Sequence, residues 1–281
     1  LYVDLHLHTT HSDGRWEPRR VVEEASSRGL AAIAITDHDV VSGLAEARDA
    51  AAELEIEFLD GVELTADWNG KVCHILGYGV GAENGQLRSA LERGKRQMAA
   101  HVGEVLEAVR AAGHELGEQD LSRYNTRYAT GTSLVLGMLE RGILRHSTQA
   151  RRLLAMAASQ PRAYTAEEAI QLIHEAGGLA VLAHPARVAG RGRLLEAKAF
   201  RPLVDTGLDG LEVWHIVQNE GAREHYRALA ARLGLLATGG SDCHGPRSSG
   251  VRIGSQRVPY EVVTELRERL SDLRRTASGP T

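Results

Sequence analysis

Short apolar runs alternate along this chain with longer, alanine-rich amphipathic runs, and that rhythm constrains the fold more than any other feature. Strand candidates fall at residues 2–7, 31–36, 57–63, 72–78, 179–183, 210–214 and 235–238. Helix candidates lie between them at 18–28, 41–54, 166–176, 219–233 and 260–273. Several carry stop and start signals: Pro18 opens the first helix, Gly29 ends it, Gly177 and Gly178 follow the third, and Gly234 follows the fourth. Strand–helix alternation predicts an α/β fold around a parallel sheet, open or closed into a barrel. With 43% apolar residues the chain has ample material for a buried core. No internal repeat is present.

One stretch breaks the rhythm. Residues 86–164 hold no good strand pattern and are far longer than a normal crossover. We read them as an inserted helical subdomain, a substrate-binding lid, within a barrel built from 1–85 and 165–281. Between residues 121 and 165 stand seven arginines (Arg123, Arg127, Arg141, Arg145, Arg151, Arg152, Arg162) against one acid, Glu140. Arginine grips phosphate with two parallel hydrogen bonds, so this surface is a candidate cationic cover for a phosphorylated substrate.

The chain carries 13 histidines but only 12 aromatic residues (3 Trp, 7 Tyr, 2 Phe). The histidines are not scattered. His6 and His8 are two apart on a strand candidate and so share a face. His11 and Asp13 follow in a polar loop. Asp37-His38-Asp39 ends the second strand, Glu63 the third, His184 the fifth, and Asp242-Cys243-His244 follows the seventh; the fourth contains His74. Parallel α/β folds build their sites at the C-terminal strand ends. His101, His114, His146, His174 and His225 lie in helical stretches without acid partners and read as ordinary; His11 and His215 stay open. Cys73 and Cys243 are too few for a disulfide framework or a cysteine-rich zinc module. No apolar run is long enough to span a membrane. The first residues show no signal core, so a cytoplasmic location is expected.

These residues resemble the PHP (polymerase and histidinol phosphatase) family. The shared motifs are D-L-H-L-H-T at 4–9, S-D-G at 12–14, T-D-H-D at 36–39, G-V-E at 61–63, His74, A-H-P at 183–185 and G-S-D-C-H-G at 240–245. The resemblance implies a distorted (β/α)7 barrel with two or three divalent ions at its mouth. Carried over, one metal site would use His6, His8, Glu63 and Asp242. A second would use Asp13, His38 and His184. A third would use Glu63, His74 and His244, with Glu63 bridging. The insertion resembles the branch of nucleotide bisphosphate phosphatases and 5′→3′ exoribonucleases. The chain departs from that branch at 128–133, where an Arg-Pro-His-like element is missing.

Histidine and carboxylate ligands without thiolates suit Mn2+, Zn2+ or Fe2+. Such ions lower the pKa of a bridging water, so hydroxide forms at neutral pH and can attack phosphorus. Arg187 is the best phosphate clamp, with Arg127, Arg191 and Arg193 as further cations. Asp39 and His215 are candidate proton donors, Asp37 is expected to orient a histidine, and Trp214 and His215 could contact a base or sugar. The expected activity is hydrolysis of a phosphomonoester of a small metabolite or nucleotide. The alternatives are a 5′→3′ exonuclease on short RNA or DNA and a cyclic-phosphate phosphoesterase. The net charge of −4 and the few stacking aromatics favour a small substrate. No obligate protein partner is expected.

Overall fold

The computed structural model describes residues 1–122, 129–146, 163–190, 192–246 and 251–277. In chain order the strands are β1 (Tyr2–Leu7), β2 (Ala32–Ile35), β3 (Glu57–Trp68), β4 (Lys71–Tyr78), β5 (Tyr164–Thr165), β6 (Leu179–Leu182), β7 (Gly210–Trp214), β8 (Leu236–Gly239) and β9 (Val258–Pro259). The helices are α1 (Pro18–Ser27), α2 (Leu44–Glu53), α3 (Gly85–Ala111), α4 (Glu118–Leu121), α5 (Gly131–Glu140), α6 (Ala166–Glu175), α7 (Pro185–Ala189), α8 (Ala197–Thr206), α9 (Glu220–Leu233) and α10 (Glu261–Ala277).

The strands form one sheet in the order β8-β7-β6-β4-β3-β2-β1-β9, with β5 beside β3. It curls into a nearly closed barrel. The closing seam joins β1 to the segment after β8: Asp242 N donates to His6 O at 2.9 Å, and His8 N donates to Cys243 O at 3.1 Å. Asp4, buried in β1, ties the same seam by accepting from Ser241 N at 2.8 Å and Gly254 N at 2.7 Å.

The sheet is not wholly parallel. β4 runs antiparallel to both β3 and β6, and β9 runs antiparallel to β1. β3 also continues past Glu63 to Trp68 and returns through a two-residue Asn69-Gly70 turn. Both turn residues have positive φ, 53° and 76°, the conformation that two-residue hairpin loops demand. Two short helices, α7 and α8, occupy the stretch between β6 and β7 where no helix was predicted.

Helix ends follow local chemistry. Thr165 and Glu168 cap α6 reciprocally, the Thr165 hydroxyl accepting from Glu168 N at 3.1 Å and the Glu168 carboxylate from Thr165 N at 2.8 Å. Asn219 accepts from Ala222 N at the start of α9, and left-handed Gly234 ends it.

The core sits below the site. Val3 of β1, Leu59 of β3, Leu179 of β6 and Leu236 of β8 come from the N-terminal parts of their strands, with Leu5 and Val181 further along β1 and β6. Leu76 and Tyr78 come from the far end of the reversed β4. All pack with Val262, Val263, Leu266 and Leu270 of α10. Burying a side chain of this size contributes about 1.5–3 kcal/mol, so α10 acts as a stopper at the end opposite the histidines. Within residues 102–144, Val102, Val105, Leu116, Leu121, Leu134, Met138 and Leu144 form an apolar cluster of their own. Among the described residues, no helix is long and apolar enough to cross a membrane.

Of the seven arginines singled out between 121 and 165, Arg123, Arg127, Arg151, Arg152 and Arg162 lie outside the described residues, as does Arg191. Arg141 is committed elsewhere: its guanidinium donates to buried Asp120 at 2.6 and 3.0 Å.

Candidate metal centre

The parallel strands deliver their C-terminal ends to one mouth, and reversed β4 delivers its N-terminal part to the same place. This explains why His74 stands early in its strand. Glu63, expected at a strand end, lies in the interior of β3, because that strand continues past the mouth as a hairpin arm. Backbone bonds prolong the ladder into the loops: Asp39 N donates to Glu63 O at 2.9 Å, and Glu63 N donates to Asp37 O at 3.1 Å. Asp39, His184 and Asp242 hold φ at 51°, 29° and 57°, a region costly for side-chain-bearing residues and common at functional sites. Gly240 must be glycine, since a Cβ there would collide with the His6 backbone.

Side chains converge on Glu63, which is fully buried. Its Oε2 lies 3.1 Å from His6 Nε2, 3.2 Å from His8 Nε2 and 3.3 Å from His38 Nδ1. Its Oε1 lies 2.9 Å from His74 Nδ1 and 3.2 Å from His184 Nε2. Asp242 Oδ1 lies 3.1 Å from His8 Nε2 and 3.5 Å from His6 Nε2. Asp13 Oδ1 lies 3.0 Å from His244 Nε2, and the His8 and His244 rings stack with centroids 4.1 Å apart. Ligand atoms that could hold an ion gather in five groups among the described residues: His6, His8, Glu63 and Asp242; His8, Asp13, His38 and His244; His38, Glu63 and His74, with His184 against them; His6, Glu212 and His215; and, apart from the mouth residues named above, His11, Glu17 and Glu46. Compared with the expected grouping, His184 and His244 change places: His184 joins Glu63 and His74, and His244 joins Asp13 and His38.

The donor set fits cations. His6 Nδ1 lies 2.8 Å from a Glu212 carboxylate oxygen, which can only accept, so Nδ1 carries the proton. In a neutral ring, Nε2 is then a lone pair. It faces the carboxylates of Glu63 and Asp242 and, at 3.1 Å, the Nε2 of His8. Acceptors gathered around a point are stable only with positive charge between them. In the metal-free chain protons fill that need. Burial alone would lower His6, but Glu63, Glu212 and Asp242 hold its pKa well above the ordinary value. The same balance pushes His8 up to about 10. Against their own burial, Glu63 and Asp242 are held well below the carboxylate range by the surrounding histidines. Burial pushes His38 down to about 3 and His184 down to about 4, keeping both neutral and ligand-ready.

The remaining predicted residues fall around this cluster. Arg187 Nη2 lies 3.3 Å from Asp242 Oδ2 and remains half exposed. His215 is fully buried; its Nδ1 accepts from Val217 N at 3.2 Å, so Nε2 carries the proton that faces Asp242 Oδ2 at 3.2 Å. Asp39 accepts from Thr65 N at 2.9 Å, and burial pushes it up to about 6 against that bond. Trp214 is half-buried and packs on the apolar core clusters. Arg127 lies outside the described residues.

Two expectations are corrected here. Asp37 anchors the loop after β1 instead of a histidine: it accepts from Thr9 N at 2.7 Å and from the hydroxyls of Thr9 and Ser12. His174 does have an acid partner, Asp209, at 2.7 Å. Cys73 and Cys243 are buried in apolar clusters behind the ligand positions. Sequence reading missed Glu212. Its two oxygens accept from His6 Nδ1 and His184 N, both at 2.8 Å, and its signal is a lone acid inside the apolar run Gly210–Trp214.

The PHP domain model matches residues 4–176. The chain belongs to the PHP family. His184, Asp242 and His244 lie beyond that match, and the barrel brings them back to it. A 3′,5′-nucleoside bisphosphate phosphatase of Chromobacterium violaceum is 32% identical over 90% of both chains. A 5′-3′ exoribonuclease of Haemophilus influenzae is 29% identical over 86% of this chain and 90% of its own length. A phosphoribosyl 1,2-cyclic phosphate 1,2-diphosphodiesterase of Eggerthella lenta is 33% identical over 92% of this chain and all of its own. The solved structure of a candidate metal-dependent phosphoesterase from Bifidobacterium adolescentis superposes with a TM-score of 0.82 at 28% identity, covering 95% and 96% of the two chains. This PHP protein is accordingly a phosphoesterase, a hydrolase of phosphoric esters with His/Asp/Glu clusters that could hold metal.

Proposed function

We propose that this PHP protein hydrolyses a phosphomonoester of a small metabolite or nucleotide of the bisphosphate kind. The observation that carries this reading is Glu63 placed among five histidines, with Asp242 beside it and Arg187 at the rim. His6, His8, Glu63 and Asp242 would hold one divalent ion, Asp13, His38 and His244 a second, and Glu63, His74 and His184 a third, as Mn2+, Zn2+ or Fe2+. Bound there, such ions supply hydroxide at neutral pH and offset charge on the phosphate oxygens. Arg187 can leave Asp242 to grip a non-bridging oxygen. One group can carry a proton to the leaving oxygen: Asp39, whose carboxyl burial pushes up to about 6. His215 instead donates its Nε2–H to Asp242 and orients that carboxylate.

The test is a phosphate-release screen with the metal-loaded protein and its Asp242→Ala variant. Orthophosphate from a nucleoside bisphosphate is expected, with kcat/KM lowered more than about 100-fold in the variant. Mononucleotides released from oligonucleotides, with no orthophosphate from small esters, would replace this reading with the exonuclease. Equal activity in the variant would remove the metal assignment.

A further inference from the structure

His11 belongs to none of the ligand groups at the mouth. It stands with Glu17 and Glu46, and one ligand atom from each of the three lies within 4.8 Å of the others. Three elements meet there. The loop after β1 brings His11, Glu17 is the residue before α1, and the first turn of α2 brings Glu46. The imidazole is held in place. It is 7% exposed, and a Cβ on Gly43 would come within 3.2 Å of both the ring and Pro18. Its backbone N donates to Thr9 Oγ1 at 3.1 Å, and that hydroxyl donates to the Asp37 carboxylate. Its Nδ1 lies 2.7 Å from Ser42 Oγ. That hydroxyl can accept the Nδ1 proton, which makes Nε2 the lone pair offered to a ligand.

Acids at helix starts are ordinary, because the first N–H groups carry partial positive charge. Glu46 conforms: one of its oxygens accepts from Arg19 N at 3.2 Å. Glu17 does not. It occupies the N-cap of α1, yet its side chain caps no N–H and instead joins the group with His11 and Glu46. A buried imidazole has no part in capping either. One nitrogen and two carboxylate oxygens, each from a different element, are the donor set of a borderline divalent ion. Ligands about 2.0–2.2 Å from a tetrahedral ion stand roughly 3.3–3.6 Å from one another. Both glutamates are exposed, so rotation of their side chains closes the remaining distance.

We propose that His11, Glu17 and Glu46 form a separate cation site that takes one Zn2+ or similar divalent ion, with its remaining positions open to water. The ion ties α1 and α2 to the loop after β1, two residues before Asp13. It stands apart from the hydrolytic chemistry, since none of its three ligands shares a group with Glu63 or Asp242. Its occupancy does not depend on which ester the mouth cleaves.

Equilibrium dialysis of the full chain against Zn2+, with bound ion counted per chain by atomic emission, tests this. The double variant Glu17→Gln/Glu46→Gln keeps side-chain size and leaves an oxygen for Arg19 N, but removes both ligand charges. At a free Zn2+ that saturates the unmodified protein it should bind one ion fewer. His11→Ala should lose the same ion, and Asp49→Asn, an exposed acid further along α2, should lose none. The loss should recur in an Asp242→Ala background, where the mouth is impaired. Equal counts in the unmodified protein and the double variant overturn the proposal, since a shared proton would then suffice to hold the three side chains together. A loss confined to His11→Ala overturns it too, because that would be a disturbance of the Asp13 loop. So does a loss that vanishes with Asp242→Ala, which would assign the ion to the mouth.

Discussion

Glu212 decides which nitrogen of His6 faces the centre. One of its oxygens accepts from His6 Nδ1 and the other from His184 N, so one buried carboxylate orients ligands from two strands. Glu212→Gln keeps the shape but places a donor against one of those two N–H groups. His6 can relieve that clash by moving its proton to Nε2, which spoils the metal-facing lone pair. Metal affinity should fall about 10–100-fold with the fold intact; a titration giving unchanged affinity would show that the pair does not set the tautomer. Asp39 supports a second prediction. Asp39→Asn should slow alkyl phosphates by about 10²-fold or more and p-nitrophenyl phosphate, whose leaving group needs no proton, much less. Equal losses would place Asp39 outside proton transfer. At this scale the histidines were legible because imidazoles and acids where apolar strands end have no packing purpose. Glu212 was not singled out because it sits within a strand, where one acid reads as an exception. The exchange of His184 and His244 was hidden because the order of residues along a chain does not say which loops meet across a barrel.

The elements were legible where one period dominates. β1, α1, α6 and α9 lie within a residue or two of their predicted bounds. The reversal of β4 was not, since an apolar run such as residues 72–78 carries no direction. The available signal was the turn before it: Asn69-Gly70 between Trp68 and Lys71 is a hairpin loop, with both residues at positive φ. That turn sets the register that lays His74 opposite Thr65, two residues beyond Glu63. A β-branched side chain resists positive φ, so Gly70→Val should cost about 1–2 kcal/mol although a Cβ there meets no neighbour. Chemical denaturation measures this directly. An unchanged midpoint at unchanged slope would show that the hairpin does not depend on its turn. The helices between β6 and β7 escaped because α7 is a single turn that begins at Pro185, and α8, although amphipathic, carries Pro202 inside it, a residue that argues against a helix.

Across the whole molecule, folding and metal binding would be linked, because the candidate ligands come from both ends of the chain and meet only in the closed barrel. The apolar end, stoppered by α10, holds the frame. The polar end gathers charges that repel one another unless protons or metal ions lie between them. This sets a pH dependence. In the metal-free chain His8 is raised from 6.5 to about 10 by Glu63 and Asp242, in spite of burial. His6 and His244 are raised as well, against their own burial, by the carboxylates beside them. A raised histidine stabilises fully below its unfolded value and loses that contribution as pH climbs through its folded value. Metal-free protein should therefore lose stability between 6.5 and about 10. His38 and His184, lowered to about 3 and about 4, are neutral throughout that window and do not oppose the loss. Asp39, near 6, has already ionised. A metal bound at this centre would take the place of those protons, and each proton displaced would add up to about 1.4 kcal/mol of metal binding per pH unit. The gap between loaded and metal-free melting temperatures should thus widen from about pH 7 to about pH 9. Thermal melts with and without a chelator, at matched ionic strength, measure it; a gap that stays flat or narrows would mean that protons do not stand in for the metal at this centre.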